Sequence, residues 1–296
     1  MVGMDIHRMR RAGTEATVAR FGAELQSLRL GGLDLLWTAG PLWPRHAPLL
    51  FPVVGGLRGD TLRHRGQAYP MPKHGFARDM VFGWTERTAT TCTLELRDDG
   101  PTRAAYPFPF RLTVTYALTA SGLRMGVALH NPAEGPLPAS LGLHPAFRWP
   151  LLPGIPKTAH RLVFEAEELA PIRRLDADGL LKPDPQPTPI HGRELPLREN
   201  LFTEDALLFL ELRSRGLQFA AENGPSLALR WEGFPHLGVW AKPEPGPSFL
   251  CIEPWEGYAS PANWDGEFSD KPGSFLVAPG ETRHWALILA LSAGSA

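Results

Sequence analysis

The stretch that decides the fold is residues 110–131, FRLTVTYALTASGLRMGVALHN. In its first half Leu112, Val114, Tyr116 and Leu118 alternate with Arg111, Thr113, Thr115 and Thr119. In its second half Leu123, Met125, Val127 and Leu129 fall on every other position. A period of two marks a strand with one buried face. Two such runs around the short turn Ala120-Ser121-Gly122 predict a β-hairpin.

The same grammar extends in both directions. LQSLRLGGLDLLW (25–37) turns at Gly31-Gly32, and TLRHRGQAYP (61–70) turns at Arg65-Gly66. LLFLELRSRGLQFAAENGPSLALRW (207–231) reads as three short strands around Arg215-Gly216 and Asn223-Gly224. FLVAPGETRHWALILAL (275–291) closes the chain with a Pro-Gly turn and a last strand. No long amphipathic helix interrupts the pattern, and 31 prolines and 30 glycines punctuate it throughout. Many short antiparallel strands with frequent turns predict an all-β fold, a large sandwich or barrel. No linker divides the chain, so residues 1–296 read as a single domain, a size such folds reach as one unit. The proline-rich stretch LLKPDPQPTPIHGRELP (180–196) reads as a long surface loop.

Composition narrows the function. With 43% apolar and 21% charged residues the chain is rich enough in core-forming side chains to exclude wholesale disorder. A formal net charge of -1 without a dense basic run argues against nucleic acid as a partner. No apolar stretch reaches bilayer-spanning length, which argues against a membrane partner. The N-terminal MVGMDIHRMRRAGTEATVARFG lacks the apolar segment of a secretory signal, so a cytoplasmic protein is expected. Cys92 and Cys251 lie far apart in apolar contexts and read as buried reduced thiols.

Nucleophilic, phosphoryl-transfer and hydride chemistry all lack their parts. There is no G-x-S-x-G elbow, no phosphate-binding GxxxxGK[ST] loop, no dinucleotide glycine fingerprint and no HExxH pair. The ten histidines are scattered, so no metal is indicated. What stands out is Glu253 in FLCIEPW, a carboxylate inside a strongly apolar run, where it must be paired, ligating or catalytic. His144 sits at the end of an apolar strand before Pro145, a place that also suits a satisfied core histidine. His74 lies in KHGFAR, whose glycine suggests a tight turn that brings backbone close to a ligand. Arg58 and Arg78 are candidate donors to hydroxyls or anions. Asp205 reads either as a helix cap or as a site carboxylate. Trp240 and Trp255 are candidate sugar platforms or simply core. Histidine and carboxylate on a β scaffold suit proton transfer on a neutral, hydroxylated substrate.

These clusters together resemble the aldose 1-epimerase (galactose mutarotase-like) family. The resemblance rests on HGFAR (74–78), LGLHPAF (141–147), DALLF (205–209), LGVWAKP (237–243) and CIEPWEG (251–257), and runs from about residue 15 to the C-terminus. It implies one large twisted antiparallel β-sandwich and interconversion of the α and β anomers of a free aldose without a cofactor. It implies Glu253 as the base that takes the C1-hydroxyl proton and His144 as the acid that protonates the ring oxygen. It implies His74 as the histidine that polarises that oxygen, Asp205 as the acidic residue that grips sugar hydroxyls, and Arg78 as lining the same pocket. A carboxylate beside His144 is expected to favour its imidazolium form.

The archetypal galactose mutarotases carry a longer, asparagine- and glycine-containing stretch where this chain has HGFAR, which leaves the sugar open. The arginine of HGFAR also occurs in the related glucose-6-phosphate 1-epimerases, so Arg58 and Arg78 form a second expectation, a clamp for a sugar phosphate. A third is a non-catalytic carbohydrate-binding protein on the same fold. The expected partner is a small sugar, and the expected assembly a monomer or homodimer.

Overall fold

The hairpin forms in the register that its alternation requires. In the computed structural model, which describes residues 5–243 and 248–292, Arg111–Leu118 pairs antiparallel with Gly122–His130, from Arg111 opposite His130 to Leu118 opposite Leu123. Leu112, Val114, Tyr116 and Leu118 are buried, as are their cross-strand partners Leu129, Val127, Met125 and Leu123. One face of the hairpin is thus a continuous apolar surface, and the threonine face is left half-buried.

This hairpin sits inside a nine-stranded antiparallel sheet. From edge to edge the order is Glu194–Pro196, His160–Phe164, Gly216–Ala221, Ser226–Glu232, Thr282–Ser292, Gly122–His130, Arg111–Leu118, Thr91–Arg97 and Gly83–Arg87. The chain's last strand therefore fills the middle of the sheet, between 226–232 and 122–130. A six-stranded sheet packs across from it. There Leu207–Phe209, His236–Trp240, Ser248–Glu256, Leu141–Leu143 and Leu49–Leu50 follow one another, and Ala146–Trp149 also pairs with Ser248–Glu256. One apolar cluster joins the two sheets, taking Leu112, Leu162 and Leu229 from the first and Leu143, Val239, Leu250 and Ile252 from the second. The molecule is all-β and antiparallel, as the periodicity implies, and of the two architectures left open it is the sandwich that the resemblance implies.

The six-stranded sheet is unusual in being buried on both faces, and this positions the site. Along Ser248–Glu256 the even residues Leu250 and Ile252 enter the main core. The odd residues Phe249, Cys251 and Trp255 pack in separate clusters on the opposite face, and Glu253 shares their parity. The neighbouring strands obey the same division. Leu237, Val239, Leu207 and Phe209 face the core, while Trp240 and Leu208 face away from it.

Residues 180–196 form the largely exposed, mostly irregular segment expected of a long surface loop, ending in the short strand Glu194–Pro196. Leu180, Leu181, Ile190 and Leu195 are buried, Leu181 bridges Leu175, and Gln186 bridges Ile172. The prolines make this segment irregular, but its spaced aliphatic residues still pin it to the body of the protein. The α-helix among the described residues is the single short Gly100–Ala105, capped by Asp99 and Thr102. Among the described residues no helix is long and apolar enough to cross a membrane. Cys92 and Cys251 are buried free thiols.

Candidate active site

Strand register brings His144 and Glu253 together. Gly142 pairs with Trp255, and Ala146 pairs with Cys251. The residue midway, His144, therefore falls opposite Glu253. Pro145 has no N–H to give, so the ladder opens at this point and the two side chains meet on the face away from the core. His144 Nε2 lies 3.1 Å from Glu253 Oε2. Both residues are buried, and His144 Nδ1 has no hydrogen-bond partner.

Burial dominates the electrostatics of the pair. It pushes the Glu253 carboxyl well above the usual carboxylate range, against the pull of Lys73 and the Trp255 indole and with help from Asp205. It pushes His144 down to about 3, with only its own carbonyl opposing and with Arg78, Lys73 and Arg45 adding to the fall. The expected imidazolium is thus not the resting form. Desolvation penalises both charged partners, and three nearby cations oppose a fourth. Burial thus disfavours the charged form of both partners, favouring neutral carboxyl on one side and neutral imidazole on the other.

His74 joins them from a turn. Its imidazole stands edge-on to that of His144, ring centroids 5.8 Å apart. The Gly55 N–H donates to His74 Nδ1 at 3.1 Å, which leaves Nε2–H as the donor available to the cavity. Burial, followed by His144 and then the same three cations, holds His74 well below the ordinary histidine range, so it stays neutral. The glycine of HGFAR makes the tight turn expected of it. Gly75 has φ +70°, and a Cβ there would stand 2.2 Å from the Phe51 carbonyl oxygen. That carbonyl accepts the N–H groups of Phe76 and Ala77, so the close approach is backbone to backbone and fixes the turn that aims His74.

The cavity around these groups measures about 260 Å³, near the lower end of small-molecule sites, roughly 300 Å³. Arg78, Asp205, Trp240 and Trp255 line it together with His74, His144 and Glu253. Arg78 Nη2 donates to the Lys73 carbonyl at 2.7 Å, which ties the arginine to the His74 turn. Asp205 caps no helix; it precedes the strand Leu207–Phe209 with φ +65°. Arg58 does not join the site. It is exposed on the turn Arg58–Asp60, 3.9 Å from Asp265, because the buried Leu57 turns the chain outward before it.

Three lining residues escaped the sequence reading. Trp43 stacks on His144, and Arg45 and Lys73 add two cations to Arg78. Lys73 adjoins the HGFAR motif and was legible as its neighbour. Trp43 and Arg45 lie in PLWPRHAP, a proline-broken loop without periodicity. Half-buried Glu24 anchors that loop by accepting the N–H groups of His46 and Ala47 at 2.9 and 3.0 Å.

His144, Cys251 and Glu253 also place three potential metal-ligand atoms within 4.8 Å of one another. Burial holds the Cys251 thiol well above its ordinary range, and Lys73, Arg45 and Arg78 repel a cation. The set fits an acid–base pair beside a packed thiol better than a metal centre.

Comparison with known proteins agrees in extent and in fold. A sequence-family model described as Aldose 1-epimerase matches residues 5–289. The plasmid-encoded protein LacX of Lactococcus lactis subsp. lactis is 30% identical over 272 residues, covering 88% of this chain and 91% of LacX. A galactose mutarotase related enzyme from Lactobacillus acidophilus superposes with a TM-score of 0.88 at 27% identity, over 97% of each chain. A galactose mutarotase-like protein from Lactobacillus casei ATCC 334 gives 0.88 at 28% identity, over 97% of this chain and 100% of that one.

Proposed function

The chain belongs to the aldose 1-epimerase family, and from that premise we propose that it interconverts the α and β anomers of an aldose by acid–base ring opening and closing. The observation that carries this reading is the Glu253–His144 contact, two buried groups 3.1 Å apart at the wall of a sugar-sized cavity.

The proposed chemistry uses one proton on the pair. Transfer across the 3.1 Å contact turns the resting carboxylic acid and imidazole into carboxylate and imidazolium. Glu253 then takes the proton from the C1 hydroxyl while His144 gives its proton to the ring oxygen. The C1–O5 bond breaks and an aldehyde forms. Rotation about C1–C2 presents the other carbonyl face, and ring closure runs the two transfers backwards. His74 Nε2–H donates to a substrate oxygen, Asp205 accepts from sugar hydroxyls, and Trp240 and Trp255 supply apolar walls. Each half-reaction leaves the protein's proton count unchanged, so the proposed cycle uses no cofactor. We read the whole chain as one domain acting on a free small molecule.

A second reading concerns the substrate. Arg45, Lys73 and Arg78 line one cavity, and Arg78 is held below its ordinary range by burial and by Arg45. An anionic sugar such as a hexose phosphate would relieve that repulsion. In this reading the clamp is Arg45, Lys73 and Arg78, without Arg58.

The test is anomer interconversion of freshly dissolved α-D-glucose, α-D-galactose and glucose 6-phosphate, followed by NMR, with Glu253→Gln as control. Acceleration of free sugars that disappears in the variant supports the first reading. Acceleration confined to the phosphorylated sugar supports the second. Sugar binding without acceleration of any of them would leave a carbohydrate-binding protein.

A further inference from the structure

Arg174 carries a buried charge that the acid–base chemistry does not use. Only 7% of the residue is exposed, and burial lowers its pKa while Glu204 and Asp205 oppose the fall. Its guanidinium is spent on the backbone of one turn. Nη1 donates to the Asp205 carbonyl at 2.8 Å and to the Ala206 carbonyl at 3.2 Å, and Nη2 donates to the Leu201 carbonyl at 2.9 Å. The main chain on either side is itself fixed. Arg173 and Leu208 exchange backbone hydrogen bonds, and Leu175 bridges Leu181.

Asp205 has φ +65°, a left-handed conformation that most non-glycine residues avoid and aspartate adopts more readily, and its Oδ1 accepts the N–H of Ala206 at 2.8 Å. Its own side chain and its surroundings together hold the turn. The surroundings here are a planar cationic fork on three carbonyls, a geometry that the ammonium of lysine cannot reproduce in full.

We propose that Arg174 is a positioning residue whose guanidinium locks the 201–206 turn and so holds Asp205 against the sugar cavity. The inference rests on the reading of Asp205 as the acceptor of substrate hydroxyls. Arg174 touches no substrate; it acts through Asp205.

The test combines Arg174→Met, Arg174→Lys, Asp205→Asn and the Arg174→Met/Asp205→Asn double variant. Kinetics are read as KM against kcat, and sugar binding is read separately from the fluorescence of the cavity tryptophans. Arg174→Met is expected to weaken binding and raise KM about tenfold, the scale of a lost charge-assisted hydrogen bond, with kcat within about threefold. In the Asp205→Asn background the same change is expected to add little. Arg174→Lys is expected to recover part of the loss and carries the comparison if Arg174→Met does not fold. An unchanged KM, or effects that simply multiply in the double variant, would overturn the proposal. If the wild type binds sugar without turning it over, the acid–base reading fails while the binding arm still decides the role of Arg174. A crystal structure of the variant decides without any ligand: Asp205 kept at φ near +65° in the same turn also overturns it.

Discussion

Trp43 lies stacked on His144, ring centroids 5.1 Å apart and planes inclined by 25°, and its other neighbours are Trp240 and Phe249. The indole covers one face of the imidazole, and Trp240 meets it edge-on at 6.1 Å. This aromatic cover contributes to the burial whose desolvation pushes His144 down to about 3. Acid–base capacity and burial are thus set by the same side chains.

The pH profile should carry that signature. A second proton on the pair goes to His144, so the acid limb of kcat/KM is expected well below 6.5, and activity at pH 5 should match that at pH 7. Trp43→Ala admits water and lets the His144 pKa rise, so its acid limb moves up and activity at pH 5 falls relative to pH 7. Coincident wild-type and variant limbs would remove Trp43 from the account. On the alkaline side the pair loses its one proton from Glu253, whose raised pKa places that limb above the ordinary carboxylate range.

Glu253→Gln and His144→Asn are each expected to lower kcat about a hundredfold or more, the usual scale for acid–base groups. Stability should not follow. The wild-type carboxyl is penalised by burial, so a neutral amide of the same shape is expected to leave Tm unchanged or raise it. Near-normal turnover in either variant, measured by NMR on the sugar that the wild type turns over, would remove that residue from the mechanism.

How much of this was legible before the structure depends on which interactions are local. The hairpin at 111–130 is, because period-two burial and a short turn are neighbours in sequence. That Glu253 is special is legible too, since the lone carboxylate in FLCIEPW has no polar neighbour along its strand. That His144 falls opposite it is not readable from spacing, because it needs the pairings of 142 with 255 and 146 with 251 across more than a hundred residues. Trp43 and Arg45 were missed for the same reason. Their loop is held by Glu24 and by the Arg45–Asp79 ion pair at 2.8 Å, contacts that leave no periodic trace. Arg58 shows the converse error, an arginine near the motifs that its own turn sends to Asp265.

Two glycines should respond differently to alanine. At Gly75 both the left-handed φ and a backbone oxygen 2.2 Å from the new Cβ forbid the change, so Gly75→Ala is expected to cost about 3 kcal/mol or more and to abolish the folded His74 turn. At Gly238 the new Cβ would stand 2.4 Å from the indole of Trp255, a side chain that lines the cavity and leans on Glu253. Gly238→Ala is therefore expected to lower activity about tenfold with a smaller loss of stability, since a side chain can shift where a backbone cannot. Thermal melts beside kinetics separate the two, and equal Tm losses would contradict the distinction.

Lys271 supplies the last expectation, and it concerns stability alone. Its ammonium is buried, donates to the carbonyls of Tyr258 at 2.6 Å and Pro272 at 3.1 Å, and lies 5.3 Å from the Tyr258 ring centroid. These contacts do not offset desolvation, which lowers its pKa from 10.5 to about 7. Between those values the unfolded chain binds a proton that the folded one does not. Stability therefore rises with pH across that window, and the contribution is lost as pH falls from 10.5 through about 7. Lys271→Met keeps most of the apolar stem and removes the titration, so its denaturant midpoint should vary less with pH between 7 and 10 than that of the wild type. Parallel curves for the two proteins across that range would show that Lys271 stays charged in the fold, held by its two carbonyls and the tyrosine ring.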